Sequence, residues 1–175
     1  MKKLFVAMLV VLFASTAFAQ QLSYGGNLEL AVPMGHFGDC VNMGFGLSAQ
    51  AEYPVKDNIV ATGSLGYLMW NGKDIYEDMD YSWSCIPIKV GGKYNLNDTG
   101  FYGIVEMGLY MFSIKWDYEY MGFSVKGDDS KTNFGFAPGV GYQMPFNDKI
   151  KLDFSLQYET AGDYDFLGLD LGVRF

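Results

Sequence analysis

At 175 residues and a formal net charge of −8, the chain suits a single domain and is too acidic to follow a nucleic-acid backbone, which needs a basic footprint. Half of its residues are hydrophobic, 17% are aromatic and glycine occurs 22 times. Beyond the amino-terminal segment, however, no apolar run reaches the roughly twenty residues of a membrane helix, so the hydrophobic residues must be dispersed by alternation.

The chain opens Met1-Lys2-Lys3, runs apolar from Leu4 to Phe13 and reaches Ala17-Phe18-Ala19 before Gln20. A charged start, a short apolar stretch and a small-x-small site describe a cleaved secretory signal over 1–19, leaving a mature domain of 20–175. Loss of Lys2 and Lys3 takes the net charge from −8 to −10.

Eight strands are expected after it. Tyr24, Gly26, Leu28, Leu30 and Val32 alternate with Gly25, Asn27, Glu29 and Ala31, and Pro33 to Asn42 reads as a loop. The second strand, Met43 to Tyr53, places Phe45, Leu47, Ala49 and Ala51 opposite Gly46, Ser48, Gln50 and Glu52; Pro54 to Asn58 is a short turn. Ile59 to Trp70 follows, then a longer acidic loop, Asn71 to Tyr81. The fourth strand, about Trp83 to Leu96, sets Ile86, Ile88 and Val90 against Lys89 and Lys93, and Asn97 to Gly100 has hairpin chemistry. In the fifth, Val105, Met107 and Leu109 oppose Glu106, although Ile104 and Phe112 share the glutamate's side. Lys115 to Lys131 is the longest loop. The sixth strand, Thr132 to Met144, carries Pro138 in its middle, where a local bulge is expected. A short turn at Pro145 to Lys149, a seventh strand from Ile150 to Thr160 and a loop from Ala161 to Asp165 lead to the terminal strand. There Leu167, Leu169, Leu171, Val173 and Phe175 fall on one parity, and Gly168, Asp170, Gly172 and Arg174 on the other.

Alternation alone fits a soluble barrel as well as a membrane one. Three features favour lipid outside. The polar parity is mostly Gly, Ser, Asn and Gln, too small and neutral for a solvated surface. Short turns alternate with longer acidic connections. Aromatics collect at both strand ends, with Tyr53, Tyr94, Phe101, Tyr142 and Phe175 near the short turns and Tyr67, Trp83, Phe134 and Tyr158 near the loops. The fold class is therefore all-β, an antiparallel up-and-down transmembrane barrel of about eight strands.

With these residues in view, the chain resembles the small eight-stranded outer-membrane barrels, the group of the OmpA transmembrane domain and OmpX-like "porin family" proteins. The resemblance covers 20–175 and is most specific at Leu169, Leu171, Val173 and Phe175, which look like the carboxy-terminal signal read by outer-membrane insertion machinery. It implies a Gram-negative outer-membrane location, contact with lipid and lipopolysaccharide, a monomer, and host or cell-surface proteins as partners of an adhesion-like role. The similarity to OmpA stops at the barrel.

Inward-facing positions are expected to hold a charge network of Glu29, Glu52, Glu106, Asp153, Glu159 and Asp170 against Lys89, Lys93, Lys151 and Arg174. Such a set reads as a plug of ion pairs, the alternative being a narrow path for small solutes or ions. Cys40 and Cys85 allow one intramolecular disulfide, which would pin the first loop across the barrel mouth. His36 is the sole histidine. A lipid A acyltransferase or deacylase centre would have to combine it with Ser82 and Asp80 or with Asp129-Ser130, and no trusted motif surrounds them. No catalytic, cofactor-binding or metal-ligating set emerges, and Asp74, Glu77, Asp78 and Asp80 read as a solvated acidic loop. The third loop is more pointed: Trp116, Tyr118, Tyr120 and Phe123 alternate as if the flanking strands continued above the membrane as a surface-binding hairpin.

Overall fold

A computed structural model describes residues 22–73, 79–96, 99–120 and 123–175, with side chains at 79–80 and 117–126 excluded. The segment expected as a signal, 1–19, lies outside the described residues, as do Asp74, Glu77 and Asp78.

Eight strands form a closed antiparallel barrel: β1 (Ser23–Met34), β2 (Gly44–Lys56), β3 (Ile59–Asn71), β4 (Met79–Asn95), β5 (Phe101–Tyr120), β6 (Phe123–Pro145), β7 (Lys151–Ala161) and β8 (Tyr164–Arg174). A short helix, α1 (Gly35–Cys40), joins β1 to β2. Each strand pairs with its sequence neighbours, and β1 closes on β8 from Gly25↔Arg174 to Met34↔Asp165. Closure leaves no backbone edge where there is no water to satisfy it.

Leu28, Leu47, Val90, Val140 and Leu171 all point outward and are more than half exposed, which in water would be an untenable surface and in lipid is the matched one. The outward aromatics Tyr94, Phe101, Phe175, Tyr67 and Tyr158 sit near strand ends as girdles require, Phe134 lies where β6 leaves the β7 ladder, and Phe101 meets Tyr142 with tilted rings whose centroids are 4.8 Å apart.

Several expectations are corrected. Pro138 makes no bulge: the β6–β7 register runs unshifted from Phe136↔Thr160 to Gly139↔Gln157, because an outward proline drops a ladder bond without adding a residue. The register shift lies between Pro54 and Lys56 in β2. The stretch from Pro33 to Asn42 is a strand end followed by α1, and Ala161 to Asp165 is a tight turn at Gly162, whose φ of +68° suits glycine. Within the stretch expected as the longest loop, 115–120 and 123–131 pair as the hairpin that the alternating aromatics suggested, out to Tyr120↔Phe123.

That hairpin outgrows the membrane. A spanning strand needs about 9–11 residues, and β1, β7 and β8 have 12, 11 and 11, whereas β5 has 20 and β6 has 23. The excess lies at the end opposite the β2–β3 and β6–β7 turns, the end at which the tight β7–β8 turn also stands.

Two outcomes check this fold. The unheated protein in detergent should run at a different gel mobility from the boiled one. In a Cys40→Ser, Cys85→Ala background, Leu28→Cys with Leu171→Cys should cross-link under mild oxidation without loss of folded mobility, since these residues face each other across the closing ladder.

Candidate functional site

The interior is the candidate site, and it is layered. Read from the outer end inward, β8 presents Tyr164, Phe166, Asp170 and Arg174; β4 presents Trp83, Cys85, Lys89 and Lys93; β5 presents Phe112, Tyr110, Glu106 and Tyr102. Period-two alternation points these side chains into the lumen, and where they meet across it they form three tiers.

The tier nearest the short turns is a closed ring of two cations and two carboxylates. Lys93 Nζ lies 2.7 Å from Glu52 and 3.4 Å from Asp153; Arg174 lies 3.0 Å from Glu52 and 3.1 Å from Asp153. Each cation therefore touches both acids, and the ring ties β2, β4, β7 and β8 across the lumen. Further donors and acceptors finish the shell. Tyr102 donates to Asp153, Gln143 donates to Glu52 and Asp153, and Arg174 donates to Asn27 and Gln50. The Lys93 ammonium also stands 4.0 Å over the Tyr102 ring.

The middle tier holds Glu29, Glu106, Glu159 and Asp170 around Lys89, all buried. Lys89 donates to Glu159 at 2.9 Å and is 3.7 Å from Glu106. Tyr110 donates to the second oxygen of Glu159 at 2.6 Å, Thr62 to Glu106 at 2.8 Å and Ser155 to Asp170 at 2.8 Å. Glu29 Oε1 has no partner.

The outer tier is apolar. Phe37 of α1 enters the mouth and meets Trp70, Trp83 and Tyr164 edge-on at 5.4–5.5 Å, with Phe112 and Phe166 completing the cluster. The turn after α1 is fastened by Tyr81 and Lys73, which donate to the carbonyls of Cys40 and Gly38, and by the Val41↔Gly72 bridge.

Glu29, Glu52, Lys89, Lys93, Glu106, Asp153, Glu159, Asp170 and Arg174 are buried, and the structure brings them together as two groups rather than one. Lys151, expected among them, is exposed at the rim. Cys40 and Cys85 are free rather than bonded: Cys85 is buried in the inner cluster, whereas Cys40 is exposed at the end of α1. Leu169, Leu171, Val173 and Phe175 face outward on β8. Trp83, expected in the outer girdle, turns inward instead. His36 stands in solvent, 3.9 Å from Asp39, and no serine hydroxyl hydrogen-bonds it among the described residues. Trp116 lies across from Gly127, where an added Cβ would strike its ring; the Tyr118, Tyr120 and Phe123 side chains lie outside the described residues, although their backbones are paired.

Replacing Lys93 with Met leaves Glu52 and Asp153 sharing one cation in a buried site. It should lower the unfolding free energy in micelles by about 3–5 kcal/mol, read from urea titration of the folded gel band. Phe37→Ala, which empties the mouth, should cost about as much while leaving the wall's β-sheet circular dichroism unchanged.

A family model for the outer membrane protein beta-barrel domain matches residues 5–175. Among solved structures, Ail, the attachment invasion locus protein of Yersinia pestis, is similar with TM-score 0.60 and 17% identity, over 88% of this chain and 96% of that one. Neisserial surface protein A is similar with TM-score 0.56 and 15% identity, over 88% and 96%. The N-terminal barrel domain of Pseudomonas aeruginosa OprF gives TM-score 0.56 and 15% identity, over 87% and 97%. Identities this low speak for the fold alone, and no curated protein matches the sequence. The family model spans nearly the whole chain, and the closed wall is apolar outside and charged within. The protein thus belongs to the outer membrane protein beta-barrel domain family.

Proposed function

We propose that this protein is a non-catalytic, non-conducting barrel of the outer membrane that acts at the cell surface through its β5–β6 hairpin. The observation that carries the reading is an open edge. β6 joins β7 only from Phe136 onward, so among the described residues Phe123 to Thr132 pairs with β5 alone, beyond the girdle residue Phe134, and its outer edge is open above the bilayer. A partner can add an extended segment to such an edge, its main chain supplying affinity and its side chains specificity. The tight β7–β8 turn is what uncovers it, since a longer last connection would stand beside β6.

Ail has been crystallised in complex with a heparin analogue, sucrose octasulfate. Charge speaks against a sulfated polyanion here. The hairpin carries Asp117, Glu119, Asp128 and Asp129 against Lys115, Lys126 and Lys131, and the neighbouring connection adds Asp74, Glu77, Asp78 and Asp80. A protein segment is the better fit.

Three filled tiers support the non-conducting reading over a narrow solute path. An eight-stranded barrel is just wide enough for its own side chains, and here both ends of the lumen are occupied, by the ion ring and by Phe37. Export by a signal over 1–19, insertion guided by Leu169, Leu171, Val173 and Phe175, and a monomer surrounded by lipid and lipopolysaccharide complete the proposal.

Cells displaying the barrel should adhere to cultured epithelial cells, and deletion of Tyr118–Lys126 should abolish that adhesion while surface level and heat-modifiable mobility persist. Unchanged adhesion would remove the hairpin from the function. In planar bilayers the purified protein should leave conductance at the level of the bare membrane; stable ion-selective steps would instead favour the channel.

A further inference from the structure

The free edge of β6 has a centre, and its charges are arranged about it. Among the described residues, the backbone of Phe123 to Thr132 pairs with β5 alone. Just below, the shoulder of the barrel closes in. Lys131 is ion-paired at 3.2 Å with Asp163 in the β7–β8 turn, and Asn133 donates to the carbonyl of Ala161. Gly127 is thus the midpoint of the free edge, with Phe123 and Lys131 equally far on either side.

Two copies of this edge can meet in two ways. Copies in one membrane share a direction, since both β6 strands descend towards the bilayer, and their edges meet only in parallel. Each residue is then level with its own counterpart, Lys126 beside Lys126 and Asp128 beside Asp128, and like charges facing each other are destabilising. Copies in facing membranes run in opposite directions and meet antiparallel, about a two-fold axis perpendicular to the sheet. Facing residues of an antiparallel pair share one face, so this axis must pass through a residue. Centred on Gly127, the ladder sets Lys126 of each copy opposite Asp128 of the other and Phe123 opposite Lys131, using the free edge from end to end. A centre one residue away would set Lys126 against Lys126 or Asp128 against Asp128.

We propose that the outer edge of β6 also pairs with its own counterpart on a neighbouring cell, as an antiparallel ladder centred on Gly127. This rests on the reading of the hairpin as the part that acts at the surface, and it adds a second copy of this chain as a partner. Main-chain hydrogen bonds supply the affinity, and the two Lys126–Asp128 pairs fix register and orientation. One such ladder is short, but many act together across a contact between two cells.

The test uses two cell populations of different colour that display the barrel at matched surface level, in a strain lacking long O-polysaccharide. Mixed clumps are counted by flow cytometry. They should form when both populations carry the protein and stay at background when one lacks it. Lys126→Asp and Asp128→Lys should each reduce clumping within their own population to background, with heat-modifiable mobility retained, because each sets like charges opposite one another. Mixing Lys126→Asp cells with Asp128→Lys cells should restore clumping, since every facing pair is then opposite in sign. Clumping that needs the protein on one population only, that survives either single reversal, or that fails to return in the mixed swap would overturn the proposal. Should a variant not reach the surface, the one-sided mixture with the unaltered protein still decides. If cells with the unaltered protein do not clump yet adhere to epithelial cells, self-pairing falls and the adhesive hairpin stands; if they do neither, both fall.

Discussion

A β-sheet in hydrocarbon cannot have an edge, and the rest of this molecule follows from that constraint. The β1–β8 ladder meets it by pairing Gly25 to Met34 with Asp165 to Arg174. The same rule explains where an edge is tolerated. Above the bilayer, water can satisfy unpaired N–H and C=O groups, and only there does β6 run on beyond the reach of β7. The closed wall and the open hairpin are thus two answers to one question about hydrogen-bond partners, separated by the depth of the lipid.

Closing eight strands also makes the lumen narrow, which dictates its contents. Arg174 reaches Glu52 and Asp153 from the last strand, so the ring cannot form until β8 is in register. A slip of one residue would turn Arg174 to the lipid and leave both carboxylates with Lys93 alone. Ion pairs of this kind add little net stability over a packed apolar core, but they penalise the wrong register heavily. Small residues make room for the large ones. Gly141 lies against Tyr102 and Gly135 against Tyr110, at distances where a Cβ would collide with the rings.

Strand parity was fully legible in the sequence, because lipid and lumen impose opposite demands on alternate residues. The inward position of Glu29, Glu52, Lys89, Lys93, Glu106, Asp153, Asp170 and Arg174 could be read from it. What parity could not supply was the third dimension. The ring and the middle tier are distinct because residues on different strands meet across the lumen, and no spacing along one strand reports that. The aromatic mouth was missed for another reason. Trp83, Phe112 and Phe166 are apolar on the inward parity, and a rule assigning apolar side chains to lipid has no place for them. Ile104 and Phe112 beside Glu106 were the visible sign. Phe37 gave less: one phenylalanine among glycines in a connection has no periodicity to place it. The cysteines misled because only Cys85 lies on a strand, and its inward side chain packs beneath the cluster, away from Cys40.

The order of the tiers has a kinetic consequence. Between the ring and the aromatic mouth, the middle tier is closed off by its own side chains, and water reaches it only when a seal opens. Opening the ring breaks four close ion pairs at once. Opening the mouth moves one side chain, on a six-residue helix with no side-chain cap and with Gly35 and Gly38 on either side of Phe37. Losing the Phe37 contacts costs about 3–5 kcal/mol by the usual scale for a buried aromatic, whereas opening the ring leaves two carboxylates and two cations all without partners in a buried site. Access to the middle tier is therefore easier at the outer end, past Phe37, than through the ring.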